Sequence, residues 1–186
     1  MTATLTTPAL KEWSAVVHAL LDGRQTVLLR KGGIREKRFE VAASRFLLFP
    51  TVAHSHLERV RPEHRSLIEP AAADSTDAEI VVRAGAQVVD AVEVTRPENL
   101  ESIAHQHIWT AESVREDRLD FRPRHRLTVL VVSAAPLLDP VRLTRTPEYR
   151  GCTSWVDLPV APAWGTPVHD DAALADLAAQ VRGSVG

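Results

Sequence analysis

The sequence predicts an α+β fold, a mixed, barrel-like β-sheet with flanking helices. Three observations carry that expectation. Apolar residues recur at three- and four-residue spacing near both ends of the chain, as on one face of a helix. Short β-branched runs lie between them, several adjacent in sequence. These runs follow one another without the strand–helix–strand rhythm of a doubly wound sheet. The chain has 186 residues, about the length of one domain. Residues 1–7 read as a disordered N-terminus, 8–168 as one α+β domain, and 169–186 as a C-terminal helix packed on it.

Taken in order, Thr7 before Pro8 has the form of a helix start, since proline suits the first helical position. Leu10, Trp13, Val16, Val17, Leu20 and Leu21 then make one apolar face. Asp22-Gly23 ends the helix, with Gly23 in the left-handed cap. "QTVLLR" (25–30), "RFEV" (38–41) and "RFLLFP" (45–50) read as strands, the last stopped by Pro50. The polar stretch 53–70 holds Pro62 and allows two helical turns at most. "AEIVVRAG" and "QVVDAVEV" read as a strand pair about Ala84-Gly85, or as one bulged strand. "RPENLESIAHQH" reads as a helix with Pro97 in its first turn, and "WTAESVREDRL" as a second, N-capped by Thr110. "RLTVLVVSAAPLL" (126–138) is the strongest strand, nearly uncharged and central. "SWVDL" is an edge strand, and "DDAALADLAAQVRG" an amphipathic helix with acids at its start.

Composition narrows the function. Hydrophobic residues make up 45% and charged residues 25%, as in an ordinary globular protein. Cys152 is the only cysteine, so no disulfide forms within the chain, and a reducing, cytoplasmic setting is expected. The start of the sequence shows no secretory leader pattern, and the apolar runs are too short to span a membrane. Net charge is only −2, but its distribution is uneven. Residues 23–38 carry Arg24, Arg30, Lys31, Arg35, Lys37 and Arg38 against Glu36 alone. Residues 69–101 carry eight acids against Arg83 and Arg96. Such asymmetry can focus field on one face.

The basic run "RKGGIREKR" is the main candidate site. Glycines allow a backbone to approach a ligand closely, and flanking cations neutralise phosphate. Arg30, Lys31, Gly32, Gly33, Arg35, Lys37 and Arg38 are therefore expected to hold a nucleic acid or nucleotide, with Arg124 of "DFRPRHRL" extending the basic face. The spacing is not that of a phosphate-binding Walker loop. The plainer alternative is a glycine hairpin with solvated charges. His54, with Glu58 one helical turn on or with Glu36, forms a weaker acid–base candidate beside that turn. This leaves a hydrolase or nuclease acting on nucleic acid, possibly metal-dependent, as the second function class. A partner-binding module using the acidic 69–101 segment is the third. The pairs His54/His56 and His105/His107 suit a metal only on a strand, and both fall in segments read as loop or helix. Asp90 and Glu93 lack the lysine that a two-metal nuclease often places near its acids. Cys152 beside Arg150 reads as a small apolar residue before it reads as a nucleophile. Trp155 reads as core. No cofactor and no metal are expected.

Four separated words, "LKEW…ALLDGRQTVLLRKGGI", "RFLLFPT", "HIWT" and "YRGCTSW", resemble a bacterial and archaeal family known as domain of unknown function eighteen hundred and two. The likeness runs from about Leu10 to about Leu158 and implies no established activity. Gly23, Gln25, Leu28 and Arg30 also stand at the spacing of the Gly-x-Lys-x-x-Glu-x-Arg signature of ASCH proteins, relatives of the PUA fold. That resemblance implies a small β-barrel of a group that mostly binds RNA or modified bases. Some members hydrolyse acylated nucleosides through the lysine and glutamate. Glycine and arginine match here; the lysine and glutamate do not, so hydrolysis is not carried over.

Overall fold

Ala9 and Leu10 are both fully buried, and they face different cores: Leu10 packs with one cluster and Ala9 with the other. A helix with one apolar face cannot do this; a strand covered on both sides can. The expected helix from Pro8 is thus half strand. Strand β1, Thr7–Trp13, runs directly into helix α1, Ser14–Leu21. The helix ends as expected, with Gly23 at φ +78°, a conformation that costs glycine little.

The structure, a computed structural model, describes residues 4–32 and 37–186. After α1 come strands β2, Val27–Lys31, and β3, Arg45–Thr51. The expected strand at 38–41 is absent: that stretch is irregular, although Phe39 is buried. Pro50 does not stop β3, which continues to Thr51. Two short helices follow, α2, His56–Arg59, and α3, Ile68–Ala72, with the 3-10 segment Pro62–Leu67 between them. Strand β4, Glu79–Glu93, is one long strand with register shifts between Val82 and Ala84 and between Val88 and Asp90. That is the bulged alternative, not the strand pair. Pro97–Gln106 is 3-10 and not α-helical, and α4, Ala111–Val114, leads into a π-type turn, Arg115–Asp120. Thr110 caps α4 as expected, its Oγ1 accepting from the Ser113 N–H at 3.1 Å. Strand β5, Leu127–Thr144, edge strand β6, Trp155–Leu158, and helix α5, Asp171–Val185, complete the chain. No helix of the described residues is long and apolar enough to cross a membrane.

The strands form one mixed sheet in the order β2-β5-β4-β3-β1-β6. β1 and β3 are parallel; the other neighbours are antiparallel. One core cluster holds Leu10, Phe46, Leu48, Val131 and the inner faces of α1 and α5. The other, across the sheet, holds Leu47, Phe49, Ile80 and Leu158. Each such fully buried Leu or Phe contributes roughly 1.5–3 kcal/mol.

The expected barrel does not close through its backbone, because β2 and β6 are free edges of the ladder. Side chains close the gap instead. Arg30 on β2 donates through Nη1 to the carbonyl of Lys11 on β1 at 3.0 Å and to Glu12 Oε2 at 3.2 Å. Phe39 stacks on Trp155 of β6, centroids 6.0 Å apart, and Trp155 Nε1 donates to the Glu40 carbonyl at 3.0 Å.

Candidate nucleic-acid interface

The candidate site begins where β2 ends. Strand alternation puts Arg30 on the face of Leu28, and Lys31 on the face of Leu29. Leu28 and Leu29 are both buried, so alternation alone does not give the direction; its contacts with Lys11 and Glu12 turn Arg30 inward. Its ion-pair partner, Glu12, is only 4% exposed. The Arg30 guanidinium also lies over the Phe39 ring, 5.1 Å from its centroid. In this arrangement the Arg30 donors serve the sheet seam, and its geometry lends the expected phosphate role no support.

Lys31 turns the other way. Its Nζ donates to the carbonyls of Phe121 and Arg122, the latter at 2.9 Å. This ties the end of β2 to the loop before β5. Burial, and then the cations of Arg118 and Arg122, hold the Lys31 ammonium below its usual pKa. The Gly32 carbonyl accepts from His125 Nδ1 at 3.3 Å, and the Lys37 carbonyl accepts from the Arg126 N–H at 2.8 Å. Lys31 and Gly32 on one side and Lys37 on the other are thus tied to 121–126. Gly33, Arg35 and Glu36 lie outside the described residues. Lys37 and Arg38 are exposed.

Beside this bend is a cleft of about 280 Å³, lined among others by Lys31, Arg118, Arg124, His125 and Arg126. No carboxylate is among its described lining residues. Arg126 is paired with Glu93 behind it. Among the described residues, Lys31, Arg118 and Arg124 make no ion pair. Burial lowers the pKa of half-buried Arg118, Glu12 opposes that shift, and Arg30 and Arg59 add to it. Its guanidinium lies 6.0 Å from the Trp109 ring centroid. The structure thus brings Lys31, Gly32 and Arg124 together. Arg118 was not anticipated: "VREDRL" mixes signs evenly and gives no local cue.

His54 and Glu58 are exposed, and neither lines this cleft. The structure does not bring His54 to the glycine bend, so the expected acid–base pairing beside it has no geometric support. The two His-x-His pairs split in the same way. His54 and His105 are exposed, whereas His56 and His107 are buried. His56 packs on Trp13 with centroids 3.9 Å apart; burial, then Arg59, lowers its pKa to about 4. Among the described residues no three His, Cys, Asp or Glu side chains cluster as metal ligands. Gln25, at the lysine position of the ASCH spacing, is buried and structural. Its Nε2 donates to the Val27 carbonyl at 2.8 Å, and its Oε1 accepts from the Ile108 N–H at 3.2 Å.

One mixed sheet with flanking helices places the chain in the α+β class. Within it, the chain belongs to the family described as Domain of unknown function (DUF1802), whose model matches residues 9–180. Among solved structures it is similar to the ASCH protein of Zymomonas mobilis. A serine-to-alanine mutant of that protein is 16% identical over 72% of each chain, with a TM-score of 0.44. Another crystal structure of it is 14% identical over 69% of this chain and 71% of that one, with a TM-score of 0.41. A tyrosine-to-phenylalanine mutant is 17% identical over 72% and 73%, with a TM-score of 0.43. No curated protein matches the sequence.

Proposed function

We propose that the cleft beside the Lys31–Gly32 bend binds the phosphate backbone of a nucleic acid or the phosphate of a nucleotide. The observation that carries this is the lining: four side-chain cations and His125 around one cleft, with no carboxylate among its described lining residues. Arg126 is balanced by Glu93, but Lys31, Arg118 and Arg124 make no ion pair among the described residues, so an anion between them offsets their mutual repulsion. Exposed Lys37 adjoins the cleft through its backbone, whose carbonyl accepts from the N–H of cleft-lining Arg126, and exposed Arg38 follows it in the chain.

Salt tests the reading directly. Lys31, Arg118 and Arg124 lack ion-pair partners among the described residues. If each contacts one phosphate of a single strand, log K falls against log salt with a slope of about −2. Raising salt from about 50 to about 200 mM then weakens binding about 20-fold. Arg124 is exposed, so Arg124→Ala leaves the fold intact. It should reduce the slope to about −1.4, or about 7-fold over the same range. Fluorescence anisotropy with labelled single-stranded RNA and DNA measures both. Binding that ignores salt, or a slope unmoved by Arg124→Ala, would overturn the assignment.

A further inference from the structure

We infer that the basic cleft is one end of a longer groove that takes a nucleoside monophosphate unit, with the phosphate beside Lys31 and Arg124 and an amino-bearing base in the neighbouring cleft over Trp109 and His107. This rests on the phosphate reading above. The neighbouring cleft, about 310 Å³, shares Pro97 and Leu119 with the basic one, so the two are adjacent. Each is near the lower end of small-molecule sites, roughly 300–1,000 Å³. One unit spanning both suits these sizes better than two separate ligands.

The two ends differ in chemistry. The second cleft is lined by the apolar Leu100, Ala104, Trp109 and Val114. Arg61 also lines it, but its guanidinium is occupied. Nη1 donates to the carbonyls of Ala104 at 2.9 Å and Trp109 at 3.1 Å, Nη2 to that of His107, and Nε to Glu63 at 3.1 Å. Arg61 thereby builds the floor and has little left for a phosphate. Exposed Arg115 is the other cation, and the same lining holds two carboxylates, Glu98 and Glu101. An anion is therefore favoured at the first end and an uncharged group at the second.

His107 supplies the polar recognition. It is 3% exposed, and burial, then the Arg61 cation, pushes its pKa down to about 3, so the ring is neutral. Its Nδ1 accepts from the Trp109 N–H at 3.1 Å, which places the ring proton on Nε2. That N–H belongs to a residue lining the cleft. The site therefore offers one fixed donor beside two carboxylate acceptors. Adenine and cytosine present the complement, a ring acceptor next to an exocyclic amine. Uracil places a carbonyl oxygen where the amine would be, and it would meet a carboxylate there.

The test is titration calorimetry on the full chain with adenosine, cytidine and uridine 5′-monophosphates, ribose 5-phosphate, and single-stranded adenine and uracil oligonucleotides. The adenosine and cytidine monophosphates should bind at least tenfold tighter than ribose 5-phosphate, and the cytidine compound tighter than the uridine one. The exposed double variant Glu98→Gln/Glu101→Gln should narrow the cytosine–uracil gap at least threefold and leave ribose 5-phosphate binding unchanged. The oligonucleotide arm separates the sources. Tighter binding of the adenine strand than of the mononucleotide, per nucleotide, assigns the unit to a strand; equal binding assigns it to a free nucleotide. Equal affinities for ribose 5-phosphate and all three nucleotides would overturn the base end while leaving the phosphate cleft standing. No binding of any phosphate compound or strand would remove both.

Discussion

Arg30 offers the sharpest separation between a sheet-closing role and a ligand-binding role. Replacing it with Ala leaves Glu12 at 4% exposure without the cation that pairs with it at 3.2 Å. Removing one member of a buried ion pair costs about 3–5 kcal/mol, because the remaining charge is uncompensated. The low end applies here. Arg118 remains close enough to feel the Glu12 charge, and Glu12 Oε1 still accepts from the Trp13 N–H at 2.9 Å. A loss of about 3 kcal/mol lowers Tm by roughly 6–12 °C in a protein of this size. Glu12→Gln in the Arg30→Ala background removes the stranded charge and should recover part of the loss. Urea unfolding monitored by far-UV circular dichroism gives both midpoints, and anisotropy on the same samples gives affinity. An Arg30→Ala protein as stable as the parent but weaker for nucleic acid would refute the seam assignment and return Arg30 to the phosphate surface.

Three further outcomes are expected. Gly85→Ala places a Cβ inside the Trp164 indole, which lies flat beneath the Arg45 guanidinium at 3.8 Å from the ring centroid. Displacing that indole should cost about 1–3 kcal/mol or more, seen as a lower thermal midpoint; an unchanged midpoint would mean that the contact is loose. Stability should also fall with acid. His56 and His107 have folded pKa values near 4 and 3, below the usual 6.5. The unfolded chain therefore binds protons that the folded chain refuses from about pH 6.5 downward, and each histidine removes up to about 1.4 kcal/mol per pH unit until its folded pKa is reached. The urea midpoint should drop between pH 6.5 and 4.5, and a His56→Phe/His107→Gln variant should flatten that drop; an equal drop in the variant assigns it to carboxylates instead. Finally, Thr110→Ala deletes the α4 cap and should cost about 1 kcal/mol. Because Ala111 and Val114 line the second cleft, nucleotide affinity should fall with it in the same titration.

The sequence announced long, one-sided patterns well and tertiary direction poorly. β5, β6 and α5 were legible because nearly uncharged β-branched runs, a short alternating run and an acid-started amphipathic stretch each carry their own period. The Thr110 cap was legible because its chemistry is local. β1 was misread because Leu10 and Trp13 fit a helical spacing, and only burial on both sides at Ala9 and Leu10 distinguishes the strand. The direction of Arg30 was not legible for a related reason. Val27, Leu28 and Leu29 are all buried, so β2 has no polar face to show which side its next residue takes. The basic bend was marked by its cations, but its cleft is completed by Arg118, which reaches it through the turn after α4. No local period encodes that meeting.

The pairing of β1 with its neighbours has a consequence for how the chain acquires its shape. Thr7 is in register with Leu158, and Ala9 with both Leu47 and Val156. Strand β1 is thus completed by β6, which follows every other strand of the sheet along the chain. Until then its outer edge is bare, and closing a loop that long slows folding far more than it weakens the final state. Ala9, Leu47 and Phe49 wait for Leu158 to cover them, so a polypeptide halted before β6 would leave a sticky, apolar side open to other chains.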